Sequence, residues 1–434
     1  MSRAMKDSGI PWIGEIPKNW NTPLLKGVFR EREEKSTFGE ETLLSLSQYT
    51  GIKPKSETEI ADSHIASNYE GYKVVHKGDF VMNIMLAWNG SYAVSDYDGM
   101  ISPAYCVYYF RDNSNKRYYH YLLRINGYQA AFKTLSRGII DSRLRLYPEQ
   151  FYTFPTLQPP LSEQQRIAEF LDRKCGEIDE AIALQEEFIE ELKAYKQSVI
   201  TEAVTRGLNP NVKLKDSGIV WISMIPQGWK CEKVKHIISS ISSGVSVNSE
   251  QIPATDKELG VLKTSSVSSN YFIPTENKKV DVEEMGRVSC PVKADTIIVS
   301  RMNTPDLVGS AGYCDDNIPN LYLPDRLWQV ETIKDRVSAR YLWRFLISLS
   351  ARYYYSSLSQ GTSSSMQNIS QSQFENAYVP VPPLTEQQQI TDYLDNKCTE
   401  IDSLIAIKQQ KIEELKDYKK SIIYEYVTGK KEVK

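Results

Sequence analysis

The sequence predicts an α+β protein built as a pseudo-two-fold repeat, in which two α+β domains are separated by two long helices that pair as an antiparallel coiled coil. Two internal repeats predict this fold. A tryptophan-containing segment at residues 6–20 returns at 215–229, and a longer segment at 159–205 returns at 382–428 with 28 identities in 47 positions. Because each pair of repeated segments encloses a length typical of one domain, we expect the order domain, helix, domain, helix.

Both copies of the longer segment begin with helix-start signals. Pro159-Pro160 and Pro382-Pro383 disfavour helix upstream, and Ser162 and Thr385 each stand three residues before a glutamine, as in a capping box. Apolar residues then recur at spacings of three and four, the pattern of a coiled-coil seam. The stripes are Ile167, Leu171, Cys175, Ile178, Ile182, Ile189, Leu192 and Val199, and Ile390, Leu394, Cys398, Ile401, Ile405, Ile412, Leu415 and Ile422. The alternative is that each helix packs on its own domain.

These signals divide the chain into a first domain at 1–158, a first long helix at 159–207, a second domain at 208–381, and a second long helix with a C-terminal tail at 382–434. The composition, 41% hydrophobic and 25% charged, is that of a globular protein. No apolar run reaches the roughly 18 residues of a membrane span, and no apolar signal sequence opens the chain. With six cysteines and no C-x-x-C pair, we expect a cytoplasmic protein without disulfides, structural zinc or membrane contact.

The domain interiors, at about 21–158 and 230–381, differ in sequence. Apolar runs at 79–84, 105–109, 296–300 and 328–330 predict strands, and helical stretches are expected at about 116–135 and 338–358. Each interior has a basic stretch near its end. Residues 111–145 carry a net charge of +6, and residues 334–374 one of +4, with tyrosines between the charges. The first long helix, in contrast, carries −5 over 161–206. Clustered basic residues are typical of phosphate contact, so the interiors are predicted to bind nucleic acid. The alternative is a solvated helix face whose aromatic residues turn to the core.

Three features of the interiors are candidates for contact with DNA: the basic stretches, the glycine-containing loops after them, and two turns that follow apolar runs. Arginine can pair with guanine and asparagine with adenine in the major groove. The candidate residues are Trp88, Asn89, Arg124, Lys133, Arg137, Ser142, Arg143, Arg145, Arg301, Asn303, Arg340, Arg344, Thr362, Ser363, Ser364 and Gln367. The alternative for each loop is an ordinary hairpin tip.

Catalytic motifs do not stand out in the sequence. It contains no G-x-x-x-x-G-K-[ST] loop and no G-x-G-x-x-G turn, and its four histidines lack metal-ligand spacing. A duplicated frame without a cofactor motif indicates a binding protein rather than an enzyme. Two other functions remain open, namely a coiled-coil scaffold without DNA specificity and a nuclease with an unrecognised site.

The Lys6-Asp7-Ser8-Gly9-Ile10-x-Trp12-Ile13 opening and the Pro-Leu-Ser/Thr-Glu-Gln-Gln helix starts at 160–165 and 383–388 resemble the specificity subunit of Type I restriction-modification enzymes. The resemblance implies two target recognition domains separated by two conserved helices, with no catalysis and no cofactor in this chain. It implies double-stranded DNA and two modification subunits as partners. Those methyltransferase subunits bind S-adenosylmethionine and methylate adenine at N6, and restriction subunits can join them.

The resemblance also places the loops at 138–145 and 361–367 where the family has a DNA-facing loop, although the second loop has no arginine. Because the frame is repeated while the interiors differ, we expect each domain to recognise a different half of one asymmetric DNA site. The two long helices would then set the gap between its halves.

Overall fold

The computed structural model describes residues 3–48, 50–58, 69–138, 144–358, 360–363 and 366–433. The chain forms two compact units, and each unit contains part of both long helices. Unit 1 comprises Met1–Gln185 and Gln410–Lys434, and unit 2 comprises Glu186–Gln409. Among the residues that the structure describes, every helix is too short or too polar to span a lipid bilayer.

Short strands and helices come first in each half of the chain, and a long helix ends it. The first half contains β1 (Met5–Asp7), β2 (Glu15–Pro17), α1 (Leu25–Val28), β3 (Phe29–Glu31), β4 (Leu44–Ser47), β5 (Gly51–Pro54), β6 (Lys73–Val75), β7 (Phe80–Asn83), β8 (Tyr92–Val94), β9 (Gly99–Ile101), β10 (Tyr105–Phe110), α2 (Lys116–Leu123), α3 (Asn126–Leu135), α4 (Pro148–Phe151) and α5 (Leu161–Arg206). The second half contains β11 (Leu214–Asp216), β12 (Met224–Pro226), β13 (Lys230–Lys233), β14 (Ile238–Ser243), β15 (Gly260–Leu262), β16 (Asn277–Lys279), β17 (Pro291–Val292), β18 (Thr296–Ser300), β19 (Met302–Asn303), β20 (Ala311–Cys314), β21 (Ile318–Tyr322), β22 (Leu327–Thr332), α6 (Ala339–Leu346), α7 (Leu349–Leu358), β23 (Gln360–Ser363), β24 (Met366–Asn368), α8 (Gln371–Glu375), β25 (Tyr378–Val381) and α9 (Leu384–Val427).

The long helices α5 and α9 pair antiparallel, as the sequence predicts. In unit 1, Lys419 Nζ lies 2.7 Å from the carboxylate of Asp179. In unit 2, Lys196 Nζ lies 2.6 Å from the carboxylate of Asp402. An early residue of α5 thus meets a late residue of α9, and the reverse holds in the other unit. Since 179 and 402, like 196 and 419, are equivalent positions of the repeat, one ion pair is made twice by the pseudo-two-fold symmetry.

Each long helix also packs on the core of a domain, so the two packing alternatives both apply. Leu171 and Cys175 are buried in the core of unit 1 beside Ile422 of α9. In unit 2, Leu394 is buried in a core that also contains Val204 of α5. Burial of these apolar side chains stabilises the helix pairing more than the two interhelical ion pairs do, because a half-exposed ion pair contributes about 1 kcal/mol or less.

The domain interiors share one architecture despite their unlike sequences. Unit 1 has a four-stranded sheet in the order β3-β10-β7-β8, and unit 2 has one in the order β14-β22-β18-β20. All strand pairs in both sheets are antiparallel. The apolar runs predicted as strands form the two central strands of each sheet: β7 and β10 in unit 1, and β18 and β22 in unit 2.

The helical stretches expected at about 116–135 and 338–358 are present, and each consists of two helices: α2 and α3 in unit 1, and α6 and α7 in unit 2. In unit 1, Arg124 ends α2, and Ile125 has an extended backbone (φ −70°, ψ 149°) before α3 begins. The break allows both Leu122 and Phe132 to be buried in the same core. Apolar periodicity does not reveal the break, because it continues across both helices.

The repeated tryptophan and the repeated glutamate of the helix start contact one another in each unit. Trp20 Nε1 donates a 3.0 Å hydrogen bond to Glu163, and Trp229 Nε1 donates one of 3.0 Å to Glu386. Trp20 is fully buried and Trp229 nearly so. In each unit this contact holds the N-terminal hairpin of the domain against a long helix. The tryptophan motif and the helix-start motif are therefore repeated together because they form one contact.

Candidate nucleic-acid interface

Unit 1 presents a hairpin beside the segment that follows its central strand β7. Arg137 and Arg145 pair as an antiparallel bridge, with N–O distances of 2.9 and 3.0 Å between their backbones. One residue further on, the Leu146 amide donates a 2.9 Å hydrogen bond to the carbonyl of Ile84. These bonds bring together two stretches that the sequence analysis considered separately, the loop after α3 and the turn at 85–90.

Unit 2 contains the equivalent arrangement. Gln360 pairs with Asn368 across β23 and β24, at the positions that correspond to Arg137 and Arg145 in the repeat. The Ile369 amide donates a 3.0 Å hydrogen bond to the carbonyl of Arg301. The hairpin therefore lies beside the segment after β18, just as it does in unit 1.

The small sheet β19-β24-β23 brings five sequence candidates of unit 2 together. Asn303 and Gln367 are paired residues of β19 and β24, and Thr362 and Ser363 belong to β23. Arg301 immediately precedes β19. Residues predicted from separate parts of the sequence therefore converge on one hairpin, although the sequence did not predict the strands that join them.

The exposed side chains around the unit 1 hairpin are basic. Lys133, Arg137 and Arg145 are all exposed. Lys133 Nζ lies 5.1 Å from the centre of the Trp88 ring, in a cation–π contact. The Trp88 indole donates a 3.0 Å hydrogen bond to the carbonyl of Met85, which fixes the turn at 85–90. Three cations close to one hairpin form a surface suited to a phosphate backbone.

The unit 2 hairpin is bordered by polar groups with fewer charges. The Arg301 guanidinium lies 5.9 Å from the Trp328 ring, and its buried Nε has no hydrogen-bond partner. Sequence reasoning missed Arg326, an exposed residue whose backbone carbonyl accepts a 3.1 Å hydrogen bond from the Arg301 amide. Its position at the end of the Pro324-Asp325-Arg326 turn, immediately before an apolar strand, was the available signal.

Three of the predicted DNA-contacting arginines are instead held by contacts inside their own unit. Arg344 and Arg340 both bind the carboxylate of Asp395 on α9, at 2.6 Å for Arg344, whose side chain is only 4% exposed. Arg124 donates 2.7 Å hydrogen bonds to the backbone carbonyls of Tyr92 and Gln48. DNA contact by these three arginines stays a prediction, and the acidic long helix and the domain core already bind their charges within the unit.

The pKa shifts of these buried arginines agree with their contacts. Burial lowers the pKa of Arg124, which has only neutral carbonyl partners. Burial is the largest effect on Arg344 and lowers its pKa, but the hydrogen bonds to Asp395 and Tyr271 together with nearby charges raise the pKa overall. The charge count of the basic stretches could not reveal this, because the neutralising carboxylate belongs to a distant part of the sequence.

The tyrosines between the basic residues belong mostly to the domain cores. Tyr118, Tyr128, Tyr341 and Tyr355 are almost completely buried. The Tyr118 hydroxyl donates a 2.9 Å hydrogen bond to the carbonyl of Val427, which ties α2 to the end of α9. The alternative reading of the aromatics, as residues turned to the core, is therefore correct for this group.

Some candidates lie outside the part of the chain that can be described. Ser142, Arg143 and Ser364 are outside the described residues, and only the backbone is described for Thr362 and Ser363. Asn89 is half-buried, and its side-chain oxygen is buried without a hydrogen-bond partner. Among the residues that the structure describes, no group of histidine, cysteine and carboxylate side chains is arranged to hold a metal ion.

Comparison with known proteins gives a consistent result. Residues 231–417 match the family described as Type I restriction modification DNA specificity domain. The chain is 25% identical over 430 residues to the Type I restriction enzyme MjaVIII specificity subunit of Methanocaldococcus jannaschii, covering 96% of this chain and 94% of that one. The EcoEI specificity subunit of Escherichia coli is 25% identical over 190 residues, 43% of this chain, and the match spans only 32% of that protein.

The fold has a relative of known structure. A chain from a structure that concerns complex assembly and conformational transition of the type I R-M system superposes with a TM-score of 0.68 at 19% identity, covering 95% of this chain and 99% of that one. The fold therefore consists of two α+β domains of one architecture, each with a hairpin beside its central strand, and the DNA specificity domain match falls on the second of them. Residues 231–417 thus match a DNA specificity domain, and nearly the whole chain is similar to specificity subunits of Type I restriction-modification systems, in line with the resemblance of its motifs.

Proposed function

We propose that this chain recognises an asymmetric, bipartite DNA site, with unit 1 binding one half-site and unit 2 the other. One observation carries the proposal. The same hairpin is built twice beside a central strand, but with Arg137 and Arg145 in unit 1 and Gln360 and Asn368 in unit 2. Equivalent backbone positions thus carry charged residues in unit 1 and amide residues in unit 2, so the half-sites should differ in sequence.

The chain itself performs no catalysis in this proposal and holds no cofactor. It acts in the cytoplasm by positioning two adenine-N6 methyltransferase subunits, which bind S-adenosylmethionine, and restriction subunits can join the same complex. An adenine inside a duplex must leave the base stack before its amino group can react. The methyltransferase subunits would extract the base, while this chain determines which adenine they reach.

Selection of binding sites from random DNA by the assembled methyltransferase complex tests the proposal. We expect two unlike short motifs separated by a gap of unread base pairs. Recovery of a palindrome or of one continuous motif would refute the assignment of one unit to each half-site. Specific binding should weaken steeply with salt, as phosphate contacts require. A scaffold without DNA specificity would yield no motif.

The purified chain alone separates the proposal from the nuclease alternative. Incubated with duplex DNA, Mg²⁺ and S-adenosylmethionine, the chain should neither cut nor methylate the DNA. Turnover that persists through purification would instead identify a catalytic site in this chain.

The paired helices are proposed to set the gap. Four residues inserted in α5 lengthen a helix by about 6 Å. Since B-DNA rises about 34 Å in 10 base pairs, the gap should grow by one or two base pairs while both half-site motifs persist. Methylation mapping measures this change. The matched control is a four-residue insertion in the loop at 208–213, which follows α5 and should leave the gap unchanged.

A further inference from the structure

Unit 1 exposes apolar side chains around its hairpin. Met85 is 36% exposed, Leu86 40%, Leu135 41% and Tyr147 37%. We refer to these four residues as the apolar patch. Large apolar side chains that are exposed singly need no explanation, but a group of them bordered by charge usually marks a binding surface.

The four residues belong to adjacent backbone segments. The hydrogen bond from the Leu146 amide to the Ile84 carbonyl, 2.9 Å long, brings Tyr147 beside the turn that contains Met85 and Leu86. Leu135 ends α3, two residues before the bridge between Arg137 and Arg145. Two features hold the turn at 85–90 in place: Ala87 is buried, and the Trp88 indole donates a hydrogen bond to the carbonyl of Met85.

The equivalent places in unit 2 are more polar. Tyr147, which precedes α4, corresponds to Ser370, which caps α8 through its hydroxyl. Leu86 likewise corresponds to Asn303, whereas Met85 and Leu135 have apolar counterparts in Met302 and Leu358. Two of the four patch positions are therefore polar in unit 2, so the full apolar patch is not a requirement of the shared fold.

We propose that the apolar patch of unit 1 reads thymine methyl groups in the major groove, with Met85 and Leu86 as the specificity-determining contacts. The proposal rests on the proposed function. Charge complementarity identifies the occupant, because the exposed Lys133, Arg137 and Arg145 border the patch and suit a phosphate backbone. The C5 methyl of thymine is the apolar group that the major groove offers, and apolar side chains contact it. Unit 2, with Arg301 and Asn303 in the equivalent segment, reads its half-site through hydrogen bonds.

A suitable base is present in every methylated half-site. Adenine pairs with thymine, so a half-site that contains a target adenine also contains a thymine methyl on the opposite strand. Replacing thymine by deoxyuridine removes this methyl and leaves the Watson–Crick pairing and the groove hydrogen-bonding groups unchanged.

The test measures binding of the assembled methyltransferase complex to its selected site, with each thymine replaced singly by deoxyuridine. We expect about a fourfold loss of affinity at one or two thymines of a single half-site, the factor that burial of one methyl group supplies. The Met85→Ala/Leu86→Ala double variant should bind the thymine and the deoxyuridine sites equally well. Since both side chains are exposed, the variant should fold normally.

Two controls separate this contact from general effects. Leu208→Ala removes a leucine that is also 40% exposed, but in unit 2, and it should keep the deoxyuridine effect. Arg145→Ala should weaken binding because it removes a positive charge beside the patch, while the ratio between the affinities for the thymine and the deoxyuridine sites stays the same.

The outcomes are distinguishable. If the complex selects no specific site, the proposed function fails. If it selects a bipartite site but no thymine is sensitive to deoxyuridine, the function stands and this inference is overturned. The same conclusion follows if the sensitivity persists in the double variant.

Discussion

Asp395 on α9 holds two arginines of α6, and its replacement by alanine should destabilise unit 2 strongly. Its carboxylate lies 2.6 Å from the guanidinium of Arg344, a side chain that is only 4% exposed. Arg340 binds the other oxygen of the same carboxylate. The repeat supplies a matched control, because Asp172 is the equivalent residue in unit 1. Its arginine partner, Arg117, is 2.6 Å away but has a side chain that is 38% exposed.

The difference in burial sets the expected magnitudes. Removing one partner of a buried ion pair leaves an unpaired buried charge and costs about 3–5 kcal/mol. An exposed pair contributes about 1 kcal/mol or less. Asp172 also accepts a 2.7 Å hydrogen bond from the Tyr121 hydroxyl, which adds about 1 kcal/mol. We therefore expect Asp395→Ala to lower the free energy of unfolding about twice as much as Asp172→Ala does.

Native-state hydrogen exchange measured peptide by peptide can follow the two units separately. Asp395→Ala should accelerate exchange in α6 and α9 within unit 2, and Asp172→Ala should act more weakly in unit 1. Replacing Arg344 by leucine in the Asp395→Ala background should recover much of the loss, because no unpaired charge then remains. Equal effects of the two alanine variants, or no recovery, would show that the buried charge does not explain the cost.

Three further predictions concern stability. Burial, followed by the charges of Arg124 and Arg117, lowers the pKa of His120 from 6.5 to about 3. As pH falls below 6.5, His120 becomes protonated in the unfolded chain but stays neutral in the folded chain. The free energy of unfolding should therefore decrease by about 2 kcal/mol between pH 7 and pH 5. Thermal unfolding at both pH values checks this, and a His120→Gln variant with the same pH dependence would contradict it. Gly176 faces open space in the middle of α5, so Gly176→Ala should stabilise by about 1 kcal/mol in urea unfolding. Gly207→Ala should instead destabilise, because Gly207 has φ +74° and lies against the Trp229 ring.

The sequence by itself determined the repeated frame. The prolines and the capping serine or threonine determine where α5 and α9 begin, and the three-four apolar spacing determines which face each helix buries. The sequence shows these features because the signals act within a few residues. The match of the two stripes also predicted antiparallel pairing, which the contacts of Lys196 with Asp402 and of Lys419 with Asp179 confirm. The central strands were visible for the same reason, as apolar runs such as 296–300.

Only the tertiary structure decided which charges remain available to a ligand. Arg344 and Arg145 look alike in a charge count, yet one is bound to Asp395, 51 residues away, and the other is exposed on a hairpin. The common sheet order of the two interiors was equally hidden, since different apolar residues can fill the same core. Contacts between residues far apart in the chain depend on the packing of whole elements, so no local pattern in the sequence could assign them.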